Sequence, residues 1–263
     1  MITSSKNPTI QHIRQLQTRT RTRRETGMFV IEGVRLVEEA LLAGIRPQTL
    51  IYTPDLDERG EKILAGFRTL GVEPVPVSDT VMQVASDTQT PQGVLAVLPI
   101  MPRFLPTHPD FVLILDGVRD PGNLGTILRT ADAAGVDAVV LPPETVDPYA
   151  PKVLRAGMGA HFHLPIHLLG WEEILAMTSS LCVFLADEGA ISKYTETDFS
   201  LPLALIIGGE AHGASDEIQR LHPAPVRIPM PGEAESLNAA IAAGILMFEV
   251  VRQRNLQAKP QKP

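Results

Sequence analysis

Four runs in the second half of this chain are apolar at nearly every position rather than at alternate ones: "FVLIL" (111–115), "DAVVL" (137–141), "LCVFLA" (181–186) and "LALIIG" (203–208). A strand that is apolar on both faces must be covered on both, and a parallel sheet sandwiched by helices does this. The shorter "VRIPM" (226–230) adds a fifth strand, and helices are expected at 123–134, 148–156, 170–178, 212–220 and 236–253. The half from Phe111 therefore reads as a doubly wound α/β fold, with its ligand at the carboxyl ends of the strands.

The first half alternates differently. A helix at 7–18, a strand "MFVIE", a helix "GVRLVEEALLAG" and a strand "TLIYT" come first; a helix at 57–70, a strand near Pro74–Val77 and a strand "GVLAVL" follow. This order argues an α/β sandwich. The segment "PIMPRFLPTHPD" (99–110) carries four prolines in twelve residues, which breaks helix and strand alike. The expected organisation is a domain at 1–98, a linker at 99–110, a second domain at 111–254 and a polar, disordered tail at 255–263.

Net charge is −7, yet Lys6, Arg14, Arg19, Arg21, Arg23 and Arg24 all precede the first acid, Glu25. A localised basic segment on an acidic chain is the footprint of phosphate-backbone binding. One cysteine excludes an internal disulfide and points to a reducing compartment. No apolar run approaches the ~18 residues of a membrane span, and the start lacks the apolar core of a signal peptide. A cytoplasmic protein that does not engage the membrane is expected.

Three loops follow apolar strands and carry the candidate chemistry. In "LDGVRDPGNLGTILRTADAAG" (115–135), Pro121 and Gly122 shape a turn, Asn123 stands at a helix N-cap position, and Arg129 lies six residues on, so both can face one mouth. The spacing is neither G-x-G-x-x-G nor a Walker loop. In "LALIIGGEAHGAS", Gly208, Gly209 and Gly213 permit close backbone approach around Glu210 and His212. In the third, "VRIPMPGEAESLNAAIAAG", Ser236-Leu237-Asn238 precede a helix of small residues suited to close packing against a helix, a cofactor or a partner subunit.

Taken in order, Asn-x5-Arg, Gly-x-Glu and Ser-Leu-Asn after Ile-Pro-Met resemble the three motifs of the SpoU/TrmH family of RNA ribose 2′-O-methyltransferases, in the SPOUT superfamily. The segment "DPYAPKVLRAGMGAHFHLPI" (147–166) also resembles the family between its first two motifs. "ITSSKNPTIQHIRQL", "GMFVIEGVRLVEEAL" and "TPQGVLAV" resemble its N-terminal substrate-binding domain, which is similar to ribosomal RNA-binding proteins. The resemblance implies a catalytic domain whose parallel sheet forms a deep trefoil knot, a homodimer, and S-adenosylmethionine as methyl donor. It further implies Arg129 as the catalytic arginine, with Asn123, Glu210, Ser236 and Asn238 in the catalytic set. Gly208, Gly209, Ile228, Leu237 and Asn238 are implied at the cofactor. Three positions depart from the family pattern: Ala239 and Ala240 follow the third motif where Val and Ser are usual, and Gly157 replaces a common serine.

Ribosomal RNA is the expected substrate, because transfer RNA ribose methyltransferases of the family commonly lack the separate first domain. Transfer RNA and a non-catalytic RNA-binding role are the alternatives. A nicotinamide enzyme would need the glycine fingerprint that is missing here. His161, His163 and His167 invite a metal, but no carboxylate or cysteine cluster completes a shell, so none is expected. His161 and His163 would share one strand face, Cys182 reads as buried, and Trp171 opens a helix.

Overall fold

In the computed structural model, which describes residues 1–101, 104–209 and 213–258, the chain divides into two units. One comprises Met1–Pro102 with Asp147–His163, and the other Arg103–Val146 with Leu164–Pro263. The second half thus lends a segment of seventeen residues, 147–163, to the first unit. The tail expected to be disordered from 255 is instead helical over 255–258, and the rest, from 259, lies outside the described residues.

In the first unit Asn7 caps α1 (Pro8–Thr18), its side chain accepting from Thr9 N–H at 2.9 Å. An extended Arg19 breaks the helix, and α2 (Thr20–Thr26) ends on Gly27. There follow β1 (Met28–Glu32), α3 (Val34–Leu42), β2 (Thr49–Tyr52), α4 (Glu58–Thr69), β3 (Val75–Pro76), α5 (Asp79–Ala85) and β4 (Val94–Pro99). The sheet order is β1-β4-β2-β3, with β4 antiparallel to both neighbours and β2 parallel to β3. Alternation along the strands fills two layers. Phe29, Ile31, Leu50, Ala96 and Leu98 pack with α3 and α4, while Val30, Ile51, Leu95 and Val97 pack with α1 and α5. The unit is an α/β sandwich, with α2 and α5 added to the expected elements.

The second unit opens with β5 (Phe111–Asp116), α6 (Pro121–Ala134) and β6 (Ala138–Leu141). The chain then forms α7 (Pro151–Gly157), which belongs to the first unit, before β7 (Ile166–Leu168), α8 (Trp171–Thr178), β8 (Cys182–Ala186), β9 (Leu203–Gly208), β10 (Ala224–Val226) and α9 (Ala239–Ala258). The six strands are all parallel, in the order β10-β8-β9-β5-β6-β7. Val112, Ile114, Ala204 and Ile206 pack under α8 and under a 3-10 turn at Asp216–Leu221, while α9 lies against α6 and β9.

Several local expectations are corrected. The last strand runs Ala224–Val226 and ends where "VRIPM" begins, because Arg227 leaves the ladder to pair with Lys193 in an isolated bridge. The helix expected at 212–220 is a 3-10 turn from Asp216, its start lying outside the described residues. His161 sits in a 3-10 turn, Ala160–Phe162, and His163 ends it, so they share no strand face. The neighbouring strand is β7, which carries His167. Cys182 is exposed rather than buried, lying at the start of β8.

The borrowed segment is built into the first unit's core. Leu154 and Phe162 join the cluster around Phe29, and the Tyr149 ring lies 5.0 Å from that of Phe29. Arg23, on α2, is 4% exposed and meets Asp147 at 2.6 Å. Its remaining donors reach the carbonyls of Leu16 and Gln17 and the hydroxyl of Thr20. His161 is buried and faces the carbonyl of Pro148 at 2.8 Å; burial lowers its pKa to about 4, against the opposing effect of that hydrogen bond.

Candidate active site at the ends of the central strands

The strand order of the second unit reverses between β5 and β9, which lie side by side in register from Phe111↔Leu203 to Asp116↔Gly208. Loops leaving the carboxyl ends of two such strands diverge and open a crevice, the usual ligand position in open parallel sheets. The first two candidate loops are the loops that leave there.

After β5 the chain turns at Gly117 (φ +69°). Thr145 braces the turn, donating from its hydroxyl to the carbonyl of Leu115 at 2.8 Å and accepting from Gly117 N–H at 3.3 Å. Asp116 is 3% exposed, and its carboxylate accepts from Ser215 N–H at 2.6 Å, tying the first loop to the second. The residue that caps α6 is Asp120, not Asn123: its carboxylate accepts from the backbone N–H of Asn123 at 2.8 Å. Pro121 then takes the first helical position and Asn123 the third, because proline has no N–H to satisfy. Asp116 and Thr145 were not singled out in the sequence; an acid ending an apolar strand is a signal that could have found the first.

Displaced from the cap, the Asn123 side chain accepts from the Nδ2 of Asn238 at 3.0 Å. Asn238 is itself the N-cap of α9, its Oδ1 accepting from Ala240 N–H at 2.9 Å and Ile241 N–H at 3.3 Å. One asparagine thus caps one helix and hydrogen-bonds the start of another. The small residues of α9 find their explanation in the same place, since α9 packs on α6 with Gly244 facing Thr130.

Arg129 is exposed, and no hydrogen bond or ion pair ties its guanidinium among the described residues. Six residues of helix turn through about 600°, so Arg129 points roughly 120° round from Asn123 rather than along one line with it. The structure brings Asn123 and Asn238 together, and among the described residues Arg129 is hydrogen-bonded to neither.

The second loop closes on itself. Gly209 and Gly213 exchange two backbone hydrogen bonds, at 3.0 and 3.1 Å. A Cβ on Gly209 would lie 2.2 Å from the carbonyl oxygen of Gly117, and one on Gly208 2.6 Å from Ala214 N. These glycines are needed because main chain crosses main chain. Glu210 and His212 lie outside the described residues.

In the third loop Ser236 is exposed, while Ile228 and Leu237 are half-buried. Neither Ile228 nor Leu237 makes a backbone hydrogen bond among the described residues. Their main-chain donors and acceptors, with apolar side chains and no charged group of their own, suit a flat heteroaromatic ring that presents both donors and acceptors at its edge. The adenosyl part of S-adenosylmethionine has that chemistry, and the residues present fit it.

The basic segment lies in the first unit. Lys6, Arg14, Arg19 and Arg24 are exposed, and Arg21 is exposed in a pair with Glu25. Arg23 stands apart, its guanidinium spent inside the protein on Asp147 and on backbone carbonyls. Among the described residues no helix is long and apolar enough to cross a membrane, and no group of three or more His, Cys, Asp or Glu is gathered for a metal.

A parallel α/β sheet with motif loops meeting at its reversal point, and an α/β sandwich unit with basic residues on α1 and α2, define a two-unit α/β protein whose ligand position is the carboxyl end of the central strands. Residues 110–248 match the SpoU rRNA Methylase family, and residues 7–96 match the MRM3-like substrate binding domain. The chain belongs to the SpoU rRNA Methylase family. It is 36% identical to the 23S rRNA (guanosine(2553)-2′-O)-methyltransferase RlmP of Bacillus subtilis, over 95% of this chain and 98% of that protein. The crystal structure of an AdoMet-bound rRNA methyltransferase from Sinorhizobium meliloti superposes with a TM-score of 0.84 at 35% identity, covering 95% of this chain and 97% of that one. The SpoU methyltransferase AviRb of Streptomyces viridochromogenes, in complex with AdoMet, gives 0.85 at 29% identity over 95% and 99%.

Proposed function

We propose that this protein transfers a methyl group from S-adenosylmethionine to a ribose 2′-hydroxyl of ribosomal RNA. The observation that carries the reading is the convergence of three motif loops at the β5/β9 reversal, with Asn123 and Asn238 hydrogen-bonded across it. It is supported by similarity to rRNA methyltransferases along nearly the whole chain.

The cofactor supplies a methyl group on a positively charged sulfur, and the knotted threading implied by the family would fold it between the loops. What the chain contributes is position. Holding the hydroxyl in line with the methyl can supply roughly 7–11 kcal/mol in well-oriented cases, so no strong base is required. Ile228 and Leu237 offer main-chain groups to the adenine edge, and Gly208 and Gly209 fix the wall. A guanidinium acts as a cation and a hydrogen-bond donor, not as a base. The role of Arg129 is therefore to bind the adjacent RNA phosphate and to stabilise the negative charge on the 2′-oxygen as it bonds to the methyl carbon, while the carbon–sulfur bond breaks to release S-adenosylhomocysteine and the hydroxyl proton passes to water. Asn123 orients the ribose. Glu210, Ser236 and Asn238 complete the hydrogen-bonded shell. Lys6, Arg14, Arg19, Arg21 and Arg24 lead the RNA in through its phosphates.

The working form is a homodimer in the cytoplasm. Ile241 and Phe248, seven residues apart on α9, are 55% and 48% exposed, an apolar stripe that a second copy would cover. Light scattering at micromolar concentration should give twice the chain mass, and a monomer would rule the dimer out. The activity itself is tested by mapping ribose methylation in total RNA from cells with and without the gene. Loss of one rRNA site is expected, and an unchanged map overturns the reading.

A further inference from the structure

One groove in the first unit lies far along the sequence from every motif residue. It holds about 670 Å³ between the start of α3, the β2–α4 connection, α5 and the loop 89–93. A nucleoside fits such a volume, which falls in the range of small-molecule sites. Its floor is kept open by Gly93 (φ +75°), where a Cβ would lie 2.5 Å from the Thr53 hydroxyl.

The rim is held from behind. Glu32 accepts from Asp87 N–H at 3.0 Å and from the Thr88 hydroxyl, Gln92 Oε1 accepts from Val34 N–H at 3.0 Å, and Gln83 Nε2 donates to the Gln89 carbonyl at 3.1 Å. These bonds leave specific groups unspent. Among the described residues the Nε2 of Gln92, the Oε1 of Gln83, the whole Gln89 amide, and the carboxylates of Asp55 and Asp79 have no partner. Leu56, Met82 and Pro91 add apolar surface, and Arg35 is exposed and has no partner among the described residues.

Each of these features selects against something. Asp55 and Asp79, both exposed, repel phosphate from their side of the groove, whereas Arg35 attracts it. Apolar surface with amide groups suits a flat base, whose edge mixes donors and acceptors. A carboxylate accepts best from two adjacent N–H donors, and guanine presents its ring N–H beside its exocyclic amine. Uracil offers one N–H and no amine. We propose that this groove holds a single unpaired guanine nucleotide of the RNA substrate, with its base inside and its phosphate on Arg35. The proposal rests on the reading that the substrate is RNA.

The test uses the full-length protein with carbon-13 methyl-labelled methionine, the Met82 resonance being assigned through Met82→Leu. Guanosine 5′-monophosphate should shift that resonance saturably, and uridine 5′-monophosphate should bind about tenfold more weakly, the size of one two-point base contact. Asp55→Asn with Asp79→Asn should abolish the preference while the free Met82 resonance stays in place. Gln83→Ala should raise the RNA KM in methyl transfer and leave kcat unchanged. No saturable shift, equal binding of the two nucleotides, or an unchanged KM overturns the proposal. A shift with an arginine-rich peptide and none with nucleotide overturns it in favour of a protein partner. The nucleotide titration needs neither cofactor nor turnover, so it stands or falls separately from the methyl-transfer reading.

Discussion

Asn238 donates from its side-chain amide to the side-chain carbonyl of Asn123 at 3.0 Å, joining residues 115 positions apart. The same Asn238 uses its oxygen to cap α9. Both ends of one amide are thus committed, which fixes its orientation and sets the start of α9 against the start of α6.

That pairing predicts coupling. Asn238→Ala removes the cap and should cost about 1 kcal/mol of stability. Asn123→Ala removes the cross-helix bond and leaves the α9 cap in place. A double-mutant cycle in denaturant should show a coupling of roughly 0.5–1.5 kcal/mol. Additive effects would mean that the bond does not hold in solution.

Arg129 predicts the opposite pattern. Its side chain is exposed and has no partner among the described residues, so Arg129→Lys should leave stability within about 0.5 kcal/mol of the parent. Charge is kept but the planar fork is lost. Methyl transfer under saturating cofactor should fall about a hundredfold, as when a donor to a developing oxyanion is removed. Near-full turnover by the lysine variant would refute the two-point role.

The Arg23–Asp147 pair predicts large stability effects without any change in the crevice. Asp147→Ala leaves a guanidinium buried with one fewer partner and should cost about 3–5 kcal/mol. Replacing both residues, as Arg23→Met with Asp147→Leu, should recover most of that, because no buried charge remains. Urea unfolding followed by tryptophan-independent circular dichroism is the check. A fragment ending at residue 102 lacks Asp147 altogether and should unfold more readily than the intact chain.

His161 makes stability depend on acid. The folded state keeps it neutral down to about pH 4, because burial disfavours the charged ring, while the unfolded chain protonates it near 6.5. Between those values the unfolded state binds more protons, so stability is lost as pH falls, by at most about 1.4 kcal/mol per unit. His161→Gln, whose amide can still donate to Pro148, should flatten part of the decline in urea midpoint between pH 6.5 and 4. An unaltered slope would show that the fall arises elsewhere.

Much of this protein was written locally. "MFVIE" became β1 at 28–32, because its alternating side chains serve two layers of core. "FVLIL" and "LALIIG" became the adjacent buried strands β5 and β9, because runs apolar on both faces have no other stable place. The motif order pointed to the family. Tertiary structure alone decided what each pattern meets. Periodicity records which face of an element is buried but carries no address for its partner. Arg23 therefore read as one more charge in a basic run until Asp147 came to lie against it. Asn123 read as a cap until Asp120 took that place and freed its side chain for Asn238. Gly209 read as room for a ligand, and the space its missing Cβ leaves is filled by the backbone of Gly117. Such pairings come from strand register and chain crossing, and these depend on contacts a hundred residues apart that no local pattern encodes.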